Sequence, residues 1–201
     1  MYVIEKCIIP ELHILQGFVN NIFWEVLCPV VGREKALLWP GNLNLIPKDY
    51  HGSLFEGNAC KELLKEADKL LDPEIYAEVG KLKLVPFVSV FQAMDKLVHN
   101  CFSVKVIDEN AIKSQIISLK KSYAALETSL PLKIHILIDH ILDGLKSLRN
   151  TGLGLWSEQS GESIHHEFDN YWSKYKINSK KNKLYEKHLL KAVVEFSSRH
   201  V

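Results

Sequence analysis

The sequence predicts a mainly α-helical protein, an irregular array of about seven or eight helices, on three observations. Apolar residues recur at three- and four-residue spacing along nearly the whole chain, which is the period of one buried helix face. Prolines stand where such runs begin (Pro10, Pro73, Pro131), and the first turn of a helix tolerates a residue without an N–H. Capping residues fall at the matching places, with Asp72 and Asp108 before helical runs and Asn150-Thr151-Gly152 after one.

Taken in order, the first helix runs from Pro10 towards Pro29 and carries Leu12, Leu15, Phe18, Val19, Ile22, Phe23, Val26 and Leu27 on its apolar positions. Trp39-Pro40-Gly41 is expected to break the chain. The stretch 42–58 is the least regular, with Pro47, Gly52 and Gly57 as punctuation and room for a small strand pair at 43–46. Helices are expected over 58–71, from Asp72-Pro73 to about Val79, and over 84–102 and 111–126. Pro131 opens a strongly apolar helix to Leu148, Gly152 and Gly154 form a tight linker, and Ser157 caps a helix to about Lys176. A lysine-rich turn leads to a last helix over 184–196. The expected organisation is a helical domain over 1–176, with the basic turn and C-terminal helix of 177–201 packed on it.

Length and composition narrow the class. A chain of 201 residues can bury roughly 70% of the surface its unfolded form exposes, so it folds without a metal or disulfide. A net charge of +1 predicts no partner from whole-molecule electrostatics, so any nucleic-acid signal must be local. Cys7, Cys28, Cys60 and Cys101 are too scattered for the paired ligands of a structural zinc site. Residues 1–16 carry Glu5, Lys6, Pro10 and Glu11 in place of a signal-peptide core, and charge is expected to interrupt every apolar run short of a membrane span. These features predict reduced thiols and an intracellular protein, nuclear or cytoplasmic, with no membrane partner.

Candidate chemistry concentrates in two helices. Winding 157–176 at ~100° per residue puts Ile164, Phe168, Tyr171, Trp172 and Tyr175 on the buried face. Glu158, Glu162, His165 and Asp169 then fall on the flank beside it. In the preceding helix Ile134, Ile138, Ile141, Leu145 and Leu148 form the buried stripe, with His135 and Asp139 one turn apart at its margin. Antiparallel packing would bring His135 and Asp139 towards Glu158 and Glu162. Carboxylates gathered so hold Mg²⁺ or Mn²⁺ for phosphoryl transfer, or form an acid/base pair. The plain alternative is structural: Glu158 stabilises its helix dipole, and the histidines satisfy neighbouring acids. The single E-x-x-H of Glu162 and His165 falls short of the duplicated pattern of a di-iron bundle.

Lys174, Lys176, Lys180, Lys181, Lys183, Lys187 and Lys191 surround one acid, Glu186, and interleave with Tyr175 and Tyr185. Clustered lysines beside aromatics suit contact with a phosphate backbone and base stacking, whereas the plain reading is a solvated surface. A third candidate is the loop holding Asp49, His51 and Glu56, where Gly52 and Gly57 equally suit turns of positive φ. Phosphate loops, nucleophile elbows, H-E-x-x-H pairs and dinucleotide fingerprints are absent from the sequence.

Several strings resemble a known group when taken together: Pro10-Glu-Leu-His-Ile-Leu-Gln-Gly, Tyr50-His-Gly-Ser-Leu-Phe-Glu-Gly-Asn, Leu132-Lys-Ile-His-Ile-Leu-Ile-Asp-His, and Gly152-Leu-Gly-Leu-Trp-Ser-Glu-Gln-Ser-Gly-Glu-Ser-Ile-His-His-Glu-Phe. They are similar to multicopy proteins of invertebrate mobile elements that look like C-terminal parts of DDE-type transposases. The resemblance implies a helical insertion over about 10–126 and a final acidic helix of an RNase H-like core, with Glu158 or Glu162 as the final acid and as metal ligand. It also implies DNA as a partner. The strand-borne aspartates that complete such a centre do not precede Pro10, and two-metal catalysis needs carboxylates on both sides of the ions. The expectation is therefore a transposase fragment inactive by itself. The alternative is a helical protein-interaction module with a patch drawn from Trp39, Phe55 or Trp156.

Overall fold

The structure is a computed structural model that describes residues 10–48, 53–77, 79–105, 107–148, 151–156, 159–177 and 182–198, leaving aside the side chains at 76, 155–156 and 159–166. It is mainly helical, with 76% of residues in helices, as the apolar periodicity predicts. No strand occurs among the described residues. The strand pair expected at 43–46 is replaced by a single antiparallel bridge between Lys48 and Leu54. The chain divides into two compact units, Met1–Trp156 and Ser157–Val201. The division falls just after the glycine linker, and residues 157–176, expected as part of the first domain, group with the C-terminal segment.

Helix α1, Glu11–Val31, is the apolar axis of the first unit. Ile14, Leu15, Phe18, Val19, Ile22, Phe23 and Leu27 are all buried along it. Its turns widen to a π-helix over Ile22–Leu27. That widening shifts the hydrogen-bond register, so Pro29, which has no N–H to give, starts the α-helical turn Cys28–Val31 without ending the helix where the sequence predicts. The break comes at Gly32, whose φ of 90° favours glycine. By length and composition α1 is also apolar enough to cross a membrane, with the charge of Glu25 inside it as the sequence reading expects. Its apolar face is occupied by the core of this unit.

Two single-turn helices follow, α2 (Arg33–Ala36) and α3 (Leu38–Asn42). Trp39-Pro40-Gly41 lies inside α3 and does not break the chain, because Pro40 takes the first turn, where N–H groups have no intrahelical acceptor. Helix α4 (Gly57–Lys65) leads into a 3₁₀ turn (Ala67–Leu71) and the short α5 (Pro73–Tyr76). The α5 cap is as predicted, with the Asp72 carboxylate accepting from the Glu74 N–H at 3.0 Å. Helix α6 (Lys81–Cys101) packs along α7 (Glu109–Ala124). The α7 cap is Asp108, which accepts from the N–H groups of Asn110 and Ala111 at 2.9 and 3.2 Å.

Helix α8 spans 132–147 after Pro131 and is π-helical at Ile136–His140. Ile134, Ile138, Ile141 and Leu145 are buried as expected, with Leu137 beside them. The first turn of α8 packs on α1. The centre of the unit is aromatic: Phe91 lies 6.5 Å from Phe18 and 5.2 Å from Trp39, and Phe23 lies 5.0 Å from Phe55. Such edge-to-face and tilted pairs each add about 1 kcal/mol beyond the area they bury.

The second unit consists of α9 (Gln159–Tyr175) and α10 (Tyr185–Ser198), which pack on one another. Phe196 meets Phe168 and Tyr171, each at 5.7 Å, and Trp172 meets Tyr185 at 5.4 Å. The face predicted for this helix from Phe168, Tyr171, Trp172 and Tyr175 is thus the one that faces its partner helix.

Candidate functional site

The sequence-predicted pair His135 and Asp139 stands on α8 at the π-helical turn. His135 Nδ1 lies 2.9 Å from Asp139 Oδ2. The other carboxylate oxygen, Oδ1, accepts from Lys120 Nζ of α7 at 2.7 Å. The His140 ring meets the His135 ring edge to face, with centroids 5.1 Å apart. The hydrogen bond from Lys120 holds the Asp139 carboxyl below the usual carboxylate range; partial desolvation opposes it, and the charges of Lys120 and His135 add to it. The one-turn spacing of His135 and Asp139 was readable from sequence. Lys120 was not, because it arrives from another helix and no local pattern marks it.

The rest of the predicted acidic group belongs to the second unit. Glu158 lies outside the described residues, and Glu162 and His165 are described only as backbone of α9. Asp169, on the same helix, is exposed. Among the described residues, no three His, Cys, Asp or Glu side chains gather as a metal-holding group. In the third candidate loop Asp49 and His51 lie outside the described residues, while Glu56 is exposed beside α4.

The lysine run divides into engaged and free positions. Lys174 pairs with Glu195 at 2.8 Å and lies 4.8 Å over the Tyr171 ring. The Tyr175 hydroxyl donates to the second Glu195 oxygen at 2.8 Å, which raises the tyrosine pKa, and His188 Nδ1 lies 3.0 Å from the Tyr175 carbonyl oxygen. Glu195 is thus a clasp between α9 and α10. Lys176, Lys183, Lys187 and Lys191 are exposed, with no ion pair among the described residues, and Lys187 and Lys191 share one side of α10. Lys180 and Lys181 lie outside the described residues. Tyr175 and Tyr185, expected as stacking surfaces for bases, are instead engaged in joining the two helices.

Two of the three aromatics expected for a protein-contact patch do not reach the surface. Trp39 is fully buried and Phe55 is 1% exposed, because both close the ring cluster around Phe23 and Phe91; the Trp39 indole N–H donates to the Glu66 carbonyl oxygen at 3.1 Å. The side chain of Trp156, the third member, lies outside the description. Cys28, Cys60 and Cys101 are buried free thiols. Burial alone pushes Cys60 and Cys101 up to about 12, far from the thiolate that a nucleophile requires. No family model, curated protein or solved structure matches the chain.

Proposed function

We propose that this chain is a transposase-derived helical fragment, catalytically inactive by itself, that contacts the backbone of DNA through the C-terminal lysines. The observation that carries the reading is the set Lys176, Lys183, Lys187 and Lys191, exposed and free of carboxylate partners among the described residues, on a two-helix unit held together by other side chains. Free ammonium groups exchange counterions with phosphate oxygens, whereas a lysine tied to a carboxylate must first break that pair. Inactivity is supported by Asp139, whose two oxygens already accept from Lys120 and His135, leaving it poorly placed to neutralise a metal ion.

The test is a fluorescence-anisotropy titration of the whole chain against duplex and single-stranded DNA at two salt concentrations. Micromolar binding that collapses at the higher salt, and that falls when Lys176, Lys183 and Lys187 become glutamine, supports the reading. Robust cutting of DNA with Mg²⁺ or Mn²⁺ overturns the inactive part. A second reading is favoured by Leu190, Val193 and Val194, which are exposed at i, i+3 and i+4 on α10. A helical protein-interaction module uses such a stripe, and it predicts no salt-dependent DNA binding at all.

A further inference from the structure

Resting on the DNA reading above, we propose that the C-terminal unit recognises the charge of a nucleic-acid backbone and is blind to its bases. A strand stripped of its bases is then as good a partner as an intact one. Two kinds of contact hold a single strand to a protein: cations on its phosphates, and rings on which unpaired bases stack. Both residue types are plentiful in this unit, but the fold leaves the lysines available and occupies the rings.

Six aromatic side chains are described in the unit, and none of them is exposed. Each meets another ring of the unit edge to face: Phe196 with Phe168 at 88° and with Tyr171 at 78°, Trp172 with Tyr185 at 74°, and Tyr175 with the His188 ring at 85°. Lys174 also stands over the Tyr171 ring, and Glu195 accepts from the Tyr175 hydroxyl. A base that stacked on one of these rings would displace a partner that joins α9 to α10, so its gain is offset by the loss of the unit's own packing.

The lysines stand apart from this packing. Lys187 and Lys191 are exposed one turn apart on α10, about 6 Å along its axis, and Lys183 is exposed on the turn before it. Glu186 is an exposed acid on the same helix, so positive charge is in excess there. Lysine meets phosphate as a compact point charge on a flexible stem and lacks the planar fork of arginine. Recognition by charge alone favours the denser polyanion. Each neutralised phosphate contributes about 0.9 to the salt slope on duplex DNA and about 0.7 on a single strand, so three lysines favour the duplex about fourfold at ~0.1 M salt.

The experiment titrates the whole chain into three labelled probes of equal length, read by fluorescence anisotropy: a mixed-sequence duplex, an oligo(dT) strand and an abasic deoxyribose-phosphate strand. Oligo(dT) and the abasic strand should bind within about twofold of one another, and the duplex about fourfold more tightly. A triple variant with Lys183→Gln, Lys187→Gln and Lys191→Gln should weaken binding to all three, with circular dichroism establishing that it keeps its helix content. An abasic strand that binds tenfold or more weakly than oligo(dT) overturns the proposal and leaves the DNA reading standing. So does oligo(dT) that binds more tightly than the duplex. Failure of all three probes to bind at low salt, or binding that the triple variant leaves unchanged, removes the DNA reading and the proposal together.

Discussion

Asn20 in α1 treats Phe55 as a neighbouring strand would: its Oδ1 accepts from the Phe55 N–H at 2.7 Å, and its Nδ2 donates to the Phe55 carbonyl oxygen at 3.0 Å. One amide side chain thus satisfies both backbone groups of a buried residue 35 positions away, at the mouth of the irregular 42–56 segment. Asn20 is itself only 6% exposed. Asn20→Ala leaves the Phe55 N–H unpaired in the interior, and the expected loss is about 2–3 kcal/mol. Chemical denaturation checks this. A midpoint shift no larger than that of a surface substitution, about 0.5 kcal/mol, would refute the clamp.

Glycine is required at the end of the first unit for want of space. A Cβ at Gly152 would lie 2.0 Å from the Ser103 carbonyl oxygen, and one at Gly154 would lie 2.4 Å from the Phe102 carbonyl oxygen. The close approach is made by hydrogen bonds from Gly152 N–H to the Lys105 carbonyl at 2.9 Å and from Gly154 N–H to the Ser103 carbonyl at 3.1 Å. Gly152→Ala should cost about 3 kcal/mol, since backbone and not a flexible side chain must move. Gly41, with open space around its Cβ position inside α3, is the control. There, alanine should be neutral or stabilise by up to about 1 kcal/mol. Thermal melts of the two variants should therefore move apart, and equal melts would sink the steric account.

Acid should loosen the junction of α7 and α8. The folded pKa of Asp139 is depressed, with the Lys120 hydrogen bond as the largest cause, so this carboxylate contributes stability above its unfolded value of about 3.9. That contribution is lost as the pH falls through the lower, folded value. A carboxyl NMR titration should give a midpoint below the ordinary aspartate range, and Lys120→Met should move it upward. An unchanged midpoint in Lys120→Met would show that Lys120 is not the cause.

Lys174 and Lys187 should respond differently to the same substitution. Lys187→Gln removes an exposed charge, and if it meets one phosphate the slope of log affinity against log salt should shrink by about 0.9, with little change in melting temperature. Lys174→Gln breaks the pair with Glu195, so it should lower the helix content or stability of the C-terminal unit and alter DNA binding less. Identical effects of the two substitutions on the salt slope would contradict the division into engaged and free lysines.

Fold class was legible because burial of one helix face leaves a periodic trace in the residues themselves. Asp72 and Asp108 cap where they should, and the buried stripe of α8 is the predicted one. What escaped was set by partners distant in sequence or by departures from 3.6 residues per turn. A π-helical turn carries no composition of its own, so α1 running through Pro29 and the meeting of His135 with His140 were invisible to an α-helical wheel. Trp39 and Phe55 read as plausible surface aromatics because they flank an irregular segment; only the three-dimensional ring cluster makes them core. At the candidate site His135 and Asp139 were readable as a one-turn pair, whereas Lys120, which controls the carboxylate, comes from a helix 19 positions earlier.

The packing of α1 on the first turn of α8 has a consequence during synthesis. Roughly a hundred residues separate the end of α1 from the start of α8, and translation at about 5–20 residues per second takes some 5–20 s to cover that distance. Throughout that interval this apolar helix of the nascent chain is without the last of its partners. How long its buried face waits during those seconds depends on how soon α4 and α6 emerge, the latter bringing Phe91 to Phe18, so the order of helices along the chain sets the time for which that face stays uncovered.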